Sequence, residues 1–195
     1  MLEDSLPQEG HESIGEIRRT ARRLANLSEK AEQMEETLSR EVDDAQPDVI
    51  DAGAVVRTLV DEFRAARAGA TIDAEVESAE VAVIDAGLFE VAVRNLIENA
   101  VEHTQRDPRL EVSVRAGDPV EISVADNGPG IPSMELQVLS DGGESPLQHS
   151  SGMGLWLVKW IATSSGGGIS FETNAPRGTV VTLTVPAAGG RSRSA

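Results

Sequence analysis

The chain has no cysteine among its 195 residues, so neither a disulfide nor a cysteine-ligated metal site is part of it. Lysine is almost missing, with Lys30 and Lys159 the two present. No stretch approaches the ~20 consecutive apolar residues of a membrane-spanning helix, and the opening Met1-Leu-Glu-Asp-Ser lacks the basic and apolar regions of a signal peptide. These absences predict a soluble, cytoplasmic protein. Positive charge is scarce throughout: 33 Asp and Glu against 17 Lys and Arg leave a formal net charge of −16. That balance argues against a nucleic-acid partner, whose phosphates are bound by Lys and Arg. A surface so self-repelling is tolerable where concentrated salt shortens the Debye length. A halophilic cytoplasm fits it, an acidic mesophilic protein being the alternative.

What is present suffices for one sizeable domain and an appendage. Residues 1–12 carry Pro7 and Gly10 and read as a loop. From Ser13 to Arg40 the apolar residues Ile14, Ile17, Ala21, Leu24, Leu27, Ala31, Met34 and Leu38 recur at steps of three and four, close to a heptad seam. Such a helix pairs with another, most simply in a homodimer, or packs back on its own domain. Asp43-Asp-Ala-Gln-Pro47 breaks it and marks a domain boundary, so that 1–46 reads as a helical dimerisation segment, 47–187 as the main domain and 188–195 as a disordered tail.

Beyond the boundary, Val49-Ile50 reads as a short strand, and Asp51 caps a helix with Val55, Val56, Leu59, Val60 and Phe63 on its apolar face. Strands follow at Thr71–Val76 and Val81–Ile84, then a helix from Ala86 to His103 capped by Asp85. Leu110–Arg115 and Val120–Asp126 alternate with period two across a Gly117-Asp-Pro turn, as a hairpin does. Residues 132–151 lack periodicity and read as a mobile loop. Leu155 to Ala162 is helical, starting just after Gly152-Met153-Gly154, and Ile169–Thr173 with Thr179–Val185 forms a closing hairpin. Hairpins exclude an all-parallel sheet. The expected fold is α/β: a two-layer sandwich with a mixed sheet and helices on one face, preceded by a long N-terminal helix.

Three stretches carry chemistry. The strand 120–126 ends on Asp126, followed by Asn127-Gly128-Pro-Gly130-Ile131. The glycines make a floor that a flat ligand can approach, and the carboxylate can accept from an amino group lying there; an acidic turn is the other reading. Asn95 and Asn99 stand four apart on helix 86–103, beside the core face of Val93, Leu96, Ile97 and Ala100 and away from the charged stripe of Glu90, Arg94 and Glu98. Neutral amide oxygens suit a Mg²⁺ that also holds phosphate oxygens, or else the amides satisfy nearby main chain. Ser151-Gly152-Met153-Gly154-Leu155 opens a helix, where free N–H groups form an anion site or a flexible loop simply ends.

In order, Asn95-Leu-Ile-Glu-Asn99-Ala100 resembles an N box, Asp126-x-Gly128-x-Gly130 a first glycine box, Gly152-Met-Gly154-Leu155 a second, and Gly178-Thr179-Val180 a last glycine motif. Together, over residues 48–187, they resemble the ATP-binding domain of sensor histidine kinases, within the superfamily shared with gyrase, Hsp90 and MutL. The segment from Glu144 to Trp160 is similar to kinases of haloarchaea. The resemblance implies a protein histidine kinase of a two-component system, with ATP and Mg²⁺ as its cofactors and a phosphoacceptor histidine domain and a response regulator as partners. It implies that Asp126 accepts the adenine amino group, that Gly128, Gly130 and Ile131 line its floor, and that Asn99 holds Mg²⁺ with Asn95 catalytic beside it. Gly152, Met153, Gly154 and Leu155 would meet the triphosphate, 132–151 would be the lid, and Thr179 would lie on the adenine side. His103 either reaches a phosphate or interacts with its helix dipole.

The chain also departs from the pattern. The helix at 13–40 resembles only the second helix of the family's dimeric hairpin, and His11 and His149 read as solvated loop residues. The phosphoacceptor is therefore expected outside this chain or in an unrecovered N-terminal part. No phenylalanine lies between Phe89 and Phe171, and 132–151 contain neither Lys nor Arg. A non-catalytic ATP-binding switch and a serine kinase of the anti-sigma type are the rival readings.

Overall fold

The computed structural model describes residues 47–104, 107–130 and 151–189, the side chains of 151–153 excepted. All of them belong to the unit Val42–Ala195. The expected helix at 13–40, Ile131, His11, His149 and the expected loop up to residue 150 lie outside the described residues.

The elements run β1 (Asp48–Asp51), α1 (Ala52–Ala66), β2 (Thr71–Val76), β3 (Glu80–Val83), α2 (Ala86–His103), β4 (Arg109–Arg115), β5 (Val120–Asp126), α3 (Ser151–Ser164), β6 (Gly168–Thr173) and β7 (Thr179–Val185). Five strands form one mixed sheet in the order β2-β4-β5-β7-β6, in which β2 lies parallel to β4 and the other neighbours are antiparallel. Both hairpins read from the sequence are present. β2 and β3 are adjacent in the chain but do not pair: β3 joins β1 in a separate two-stranded antiparallel sheet.

Register explains the layering. Val112, Val124 and Val181 stand side by side across β4, β5 and β7, and so do Val114, Ile122 and Leu183. All six are buried. The residues between them point the other way, as period two requires. There Ser113, Ser123 and Thr182 line up half-exposed, with the Ser123 and Thr182 hydroxyls 2.8 Å apart. The helices cover the apolar face, α1 contributing Val56, Leu59 and Phe63, α2 Phe89, Val93 and Ile97, and α3 Val158 and Ile161 to one core. Each such side chain contributes roughly 1.5–3 kcal/mol when fully buried.

Helix starts follow the caps. Asp51 accepts from Gly53 N at 2.9 Å and Ala54 N at 3.2 Å, and also from Ala79 N at 3.2 Å and Ser78 Oγ at 2.8 Å. It thereby caps α1 and pins the β2–β3 connection. Asp85 accepts from Leu88 N at 2.9 Å, while Ala86 N donates to Asp48 Oδ2 at 2.8 Å. Two boundaries differ from expectation. α3 begins at Ser151, so Gly152 and Gly154 lie inside its first turn rather than before it. Glycine is a poor helix residue mid-helix, but first-turn N–H groups need no intrahelical partner, and the apolar run from Leu155 anchors the helix. At the other end the bonded chain passes residue 187, because Ala188 N donates to Glu80 O at 2.9 Å and Val81 bridges Ala187.

The Ser78 hydroxyl, with the main-chain N–H groups of Ala79, Ala54 and Gly53, holds the Asp51 carboxyl below its ordinary range against a smaller desolvation cost. A lowered folded-state value stabilises the fold above the unfolded value, and this contribution is lost as pH falls through the lowered one. Asp51→Ala should cost about 1 kcal/mol at neutral pH, as loss of a helix cap does. Thermal melts from about pH 7 to about pH 3 should show the gap to wild type closing as Asp51 protonates.

Candidate functional site

The site is built where α2 ends and β5 ends. Thr104, the residue that closes α2, is buried and donates its hydroxyl to Ala100 O at 2.9 Å. A Cβ on Gly128 would stand 3.1 Å from that hydroxyl, 3.6 Å from His103 O and 2.8 Å from Asp126 Oδ1. The last turn of α2 therefore abuts the turn that follows Asp126, and only a residue without a side chain fits between them. Asn99 lies one turn further back, about 6 Å along the helix axis, and Asn95 one turn beyond that. Asn95, Asn99 and His103 thus form a stripe running toward Asp126.

Asp126 is half-buried at its strand end. Its Oδ1 accepts from Gly128 N at 2.7 Å, and Thr179 N also donates to the carboxylate. Burial pushes this carboxyl above the ordinary range, opposed by those two main-chain N–H groups and by the charge of His103. Thr179 is buried at the start of β7 and reaches Asp126 through its main chain. Gly178 before it has φ +121, and a Cβ there would collide with the Asp126 carbonyl oxygen. Gly130 also has positive φ, +84.

On α2, Asn95 is 3% exposed. Its Nδ2 donates to Val91 O at 2.8 Å, so half of its amide satisfies main chain as an isolated asparagine would. Its Oδ1 and the Nδ2 of Asn99 are buried without a protein partner. Leaving such a group unsatisfied costs about 1–3 kcal/mol, and a native fold normally answers it with water or ligand. The charged stripe is elsewhere: Arg94 bonds Glu62 and Glu90, each at 2.9 Å, and ties α2 to α1. Among the described residues, no three Asp, Glu, His or Cys side chains cluster as a cation cage. The open Asn99 Nδ2 is a donor suited to a phosphate oxygen, and a divalent ion at an amide oxygen of this stripe would draw its remaining oxygens from phosphate and water.

The second glycine stretch enters from α3, which packs against α2. Gly152 and Met153 form part of its first turn, and Gly154 is buried. Leu155 is a core side chain, 8% exposed, so any ligand contact from it is through main chain. His103 is exposed in the last turn of α2.

Two residues that hold the Asp126 turn in place went unread in the sequence. Asn127 accepts from Arg109 N at 2.9 Å and donates to Asp107 O at 3.3 Å, lacing the turn to the α2–β4 connection. Asn174 donates to Asp126 O at 2.8 Å from the β6–β7 turn. Asn127 carried a signal, being an Asn inside the motif; Asn174 lies in an ordinary-looking turn and carried none.

The chain is an α/β sandwich, a mixed sheet backed by helices on one face, with a carboxylate beside a glycine turn at a strand end and unsatisfied amides on the adjoining helix. Over residues 84–189 the chain matches the family described as histidine kinase-, DNA gyrase B-, and HSP90-like ATPase, and it belongs to that family. It is 31% identical over 149 residues to nitrogen regulation protein NtrY of Azorhizobium caulinodans, covering 71% of this chain and 19% of that protein. It is 35% identical over 100 residues to sensor histidine kinase CitA of Klebsiella pneumoniae, covering 48% and 18%. The chain thus spans about a fifth of the length of these relatives. Among solved structures it resembles the mycobacterial sensor histidine kinase MprB at TM-score 0.61 and 25% identity, covering 72% of this chain and 97% of that one. The ATP-binding domain of PrrB from Mycobacterium tuberculosis gives TM-score 0.60 and 26% identity, covering 73% and 98%.

Asp126 predicts a pH dependence opposite in sign to that of Asp51. A raised carboxyl favours the fold while protonated, and that contribution is lost as pH rises through the raised value. The melting temperature of wild type relative to Asp126→Asn should be highest in acid and fall toward neutral pH, checked by melts of both proteins across that range.

Proposed function

We propose that residues 47–187 are the ATP-binding catalytic part of a two-component sensor histidine kinase, and that Mg²⁺ accompanies the nucleotide. The observation that carries this reading is the junction of α2 with the Asp126 turn, which puts an acidic acceptor beside a glycine floor at one end of the asparagine stripe. Asp126 accepts from the adenine amino group over Gly128 and Gly130. Asn99 and Asn95 face the phosphates, Asn99 lending its amide oxygen to the ion, and the first-turn N–H groups of α3 at Gly152 to Gly154 receive phosphate oxygens. Mg²⁺, when bound, offsets charge on the phosphate oxygens. The protein's part in phosphoryl transfer is then chiefly positioning. The γ-phosphoryl leaves the β-phosphate oxygen for an imidazole nitrogen of a histidine on the phosphoacceptor domain, and from there passes to a response regulator. Residues 1–46 serve as the dimerisation segment of a homodimer, the chain works in the cytoplasm, and its acidic surface suits a salt-rich one.

Among the described residues no helix is long and apolar enough to cross a membrane. Calorimetry of the full chain with MgATP should show binding, and Asn99→Ala should weaken it by about tenfold or more, the order expected for a charge-assisted contact. Radiolabelled ATP with a separately supplied histidine-bearing helical hairpin should give an acid-labile label on that hairpin. An acid-stable label, or unchanged affinity in Asn99→Ala, defeats the assignment.

Salt supplies a separate check. Between about 0.1 M and about 1 M the Debye length falls from ~10 Å to ~3 Å. With a net charge of −16, the melting temperature should rise over that interval in KCl; a flat or falling profile removes the halophilic part of the reading.

A further inference from the structure

Asp126 sits at the point where the sheet ceases to hold it. The β5–β7 ladder ends with Ala125 paired to Val180. On the β4 side, Leu110 stands opposite Asp126, while the neighbouring Arg109 N is taken by the Asn127 side chain. The Asp126 carbonyl faces the start of β7, beyond the last rung. Asn174 fills that gap: its Nδ2 donates to Asp126 O at 2.8 Å across 48 residues of sequence. Its own main-chain N–H donates to Gly178 O at 3.0 Å, closing the turn. The same turn brings the Gly178 main chain against the Asp126 carbonyl, where a side chain would collide, and delivers Thr179 N to the Asp126 carboxylate. Asn174 thus ties the Asp126 carbonyl, through its side-chain amide, to the turn that its own main-chain N–H closes and that feeds a donor to the Asp126 carboxylate.

We propose that Asn174 is a positioning residue for purine selection: without touching the nucleotide, it sets the aim of the Asp126 carboxylate at the base's exocyclic amino group. This rests on the reading of Asp126 as the adenine acceptor. A group that acts through Asp126 alone affects only purines that carry the amino group Asp126 reads. A group that merely supports the fold affects all nucleotides alike.

Inosine triphosphate separates these cases, because it keeps the purine and triphosphate and replaces the amino group by an oxygen. Calorimetry on the full chain with Mg²⁺ should show wild type preferring ATP to inosine triphosphate. Asn174→Ala should lower ATP affinity about tenfold, the worth of a well-made hydrogen bond, and leave inosine triphosphate affinity unchanged, so that selectivity collapses. Asn174→Asp keeps the shape and removes the donor; it should lose selectivity at least as far, and it carries the test if the alanine variant fails to fold. Equal losses for both nucleotides, or retained selectivity in both variants, overturn the proposal. A wild-type chain that binds neither nucleotide, or both equally, overturns the adenine reading itself and this proposal with it, and that result is visible before any variant is made.

Discussion

The structure depends on one half-buried carboxylate being kept at a strand end against its own desolvation. Among the described residues, the main-chain N–H groups of Gly128 and Thr179 and the charge of exposed His103 act on Asp126. Desolvation prevails, and the carboxyl is pushed up. Asp51 shows the converse with the same residue type. Three main-chain N–H groups and a hydroxyl converge on it, and it is held low. At neutral pH one aspartate contributes to the stability of the fold and the other detracts from it.

The helix α2 shows how such a burden is distributed. One side carries Phe89, Val93, Leu96 and Ile97 into the core, another carries Arg94 to Glu62 on α1, and the stripe between them carries Asn95 and Asn99. The first two sides secure the helix well enough that the third can keep two buried polar atoms unanswered. Gly178 and Asn174 do the equivalent for β5, taking over at the carbonyl where the ladder stops.

How much of this was legible depended on the range of each interaction. Alternation fixed the strands because Val112, Val124 and Val181 obey one local period. The caps at Asp51 and Asp85 were legible because a cap bonds within three residues. The partition of strands was not: β2 and β3 have similar local patterns, and only pairing with β4 or β1 separates them. The start of α3 lies ahead of the apolar run from Leu155 because first-turn N–H groups need no intrahelical partner, so the apolar pattern does not mark it. At the candidate site, Asn95, Asn99, Asp126 and Gly128 could be named because spacing along one helix or one turn is a sequence property, while Gly178 came from the family resemblance. Asn174 could not, since what matters in it is a bond to a carbonyl 48 residues away.

On the proposed reading, a chain this acidic meets a polyanion with no Lys or Arg in its expected lid. Residues 132–151 contain neither Lys nor Arg, and Lys159 lies well inside α3. On the proposed reading, neutral groups do the work by orientation. Helix dipoles place partial positive charge at N-termini and partial negative charge at C-termini. The α2 C-terminus, with Asp126, meets the hydrogen-bond-donating edge of the base, while the α3 N-terminus meets phosphate. Because dipoles fall off within a turn, such a site discriminates by close fit rather than by long-range attraction. That is why so much of the local structure, from Gly128 to Asn127 and Asn174, is spent on holding one turn still.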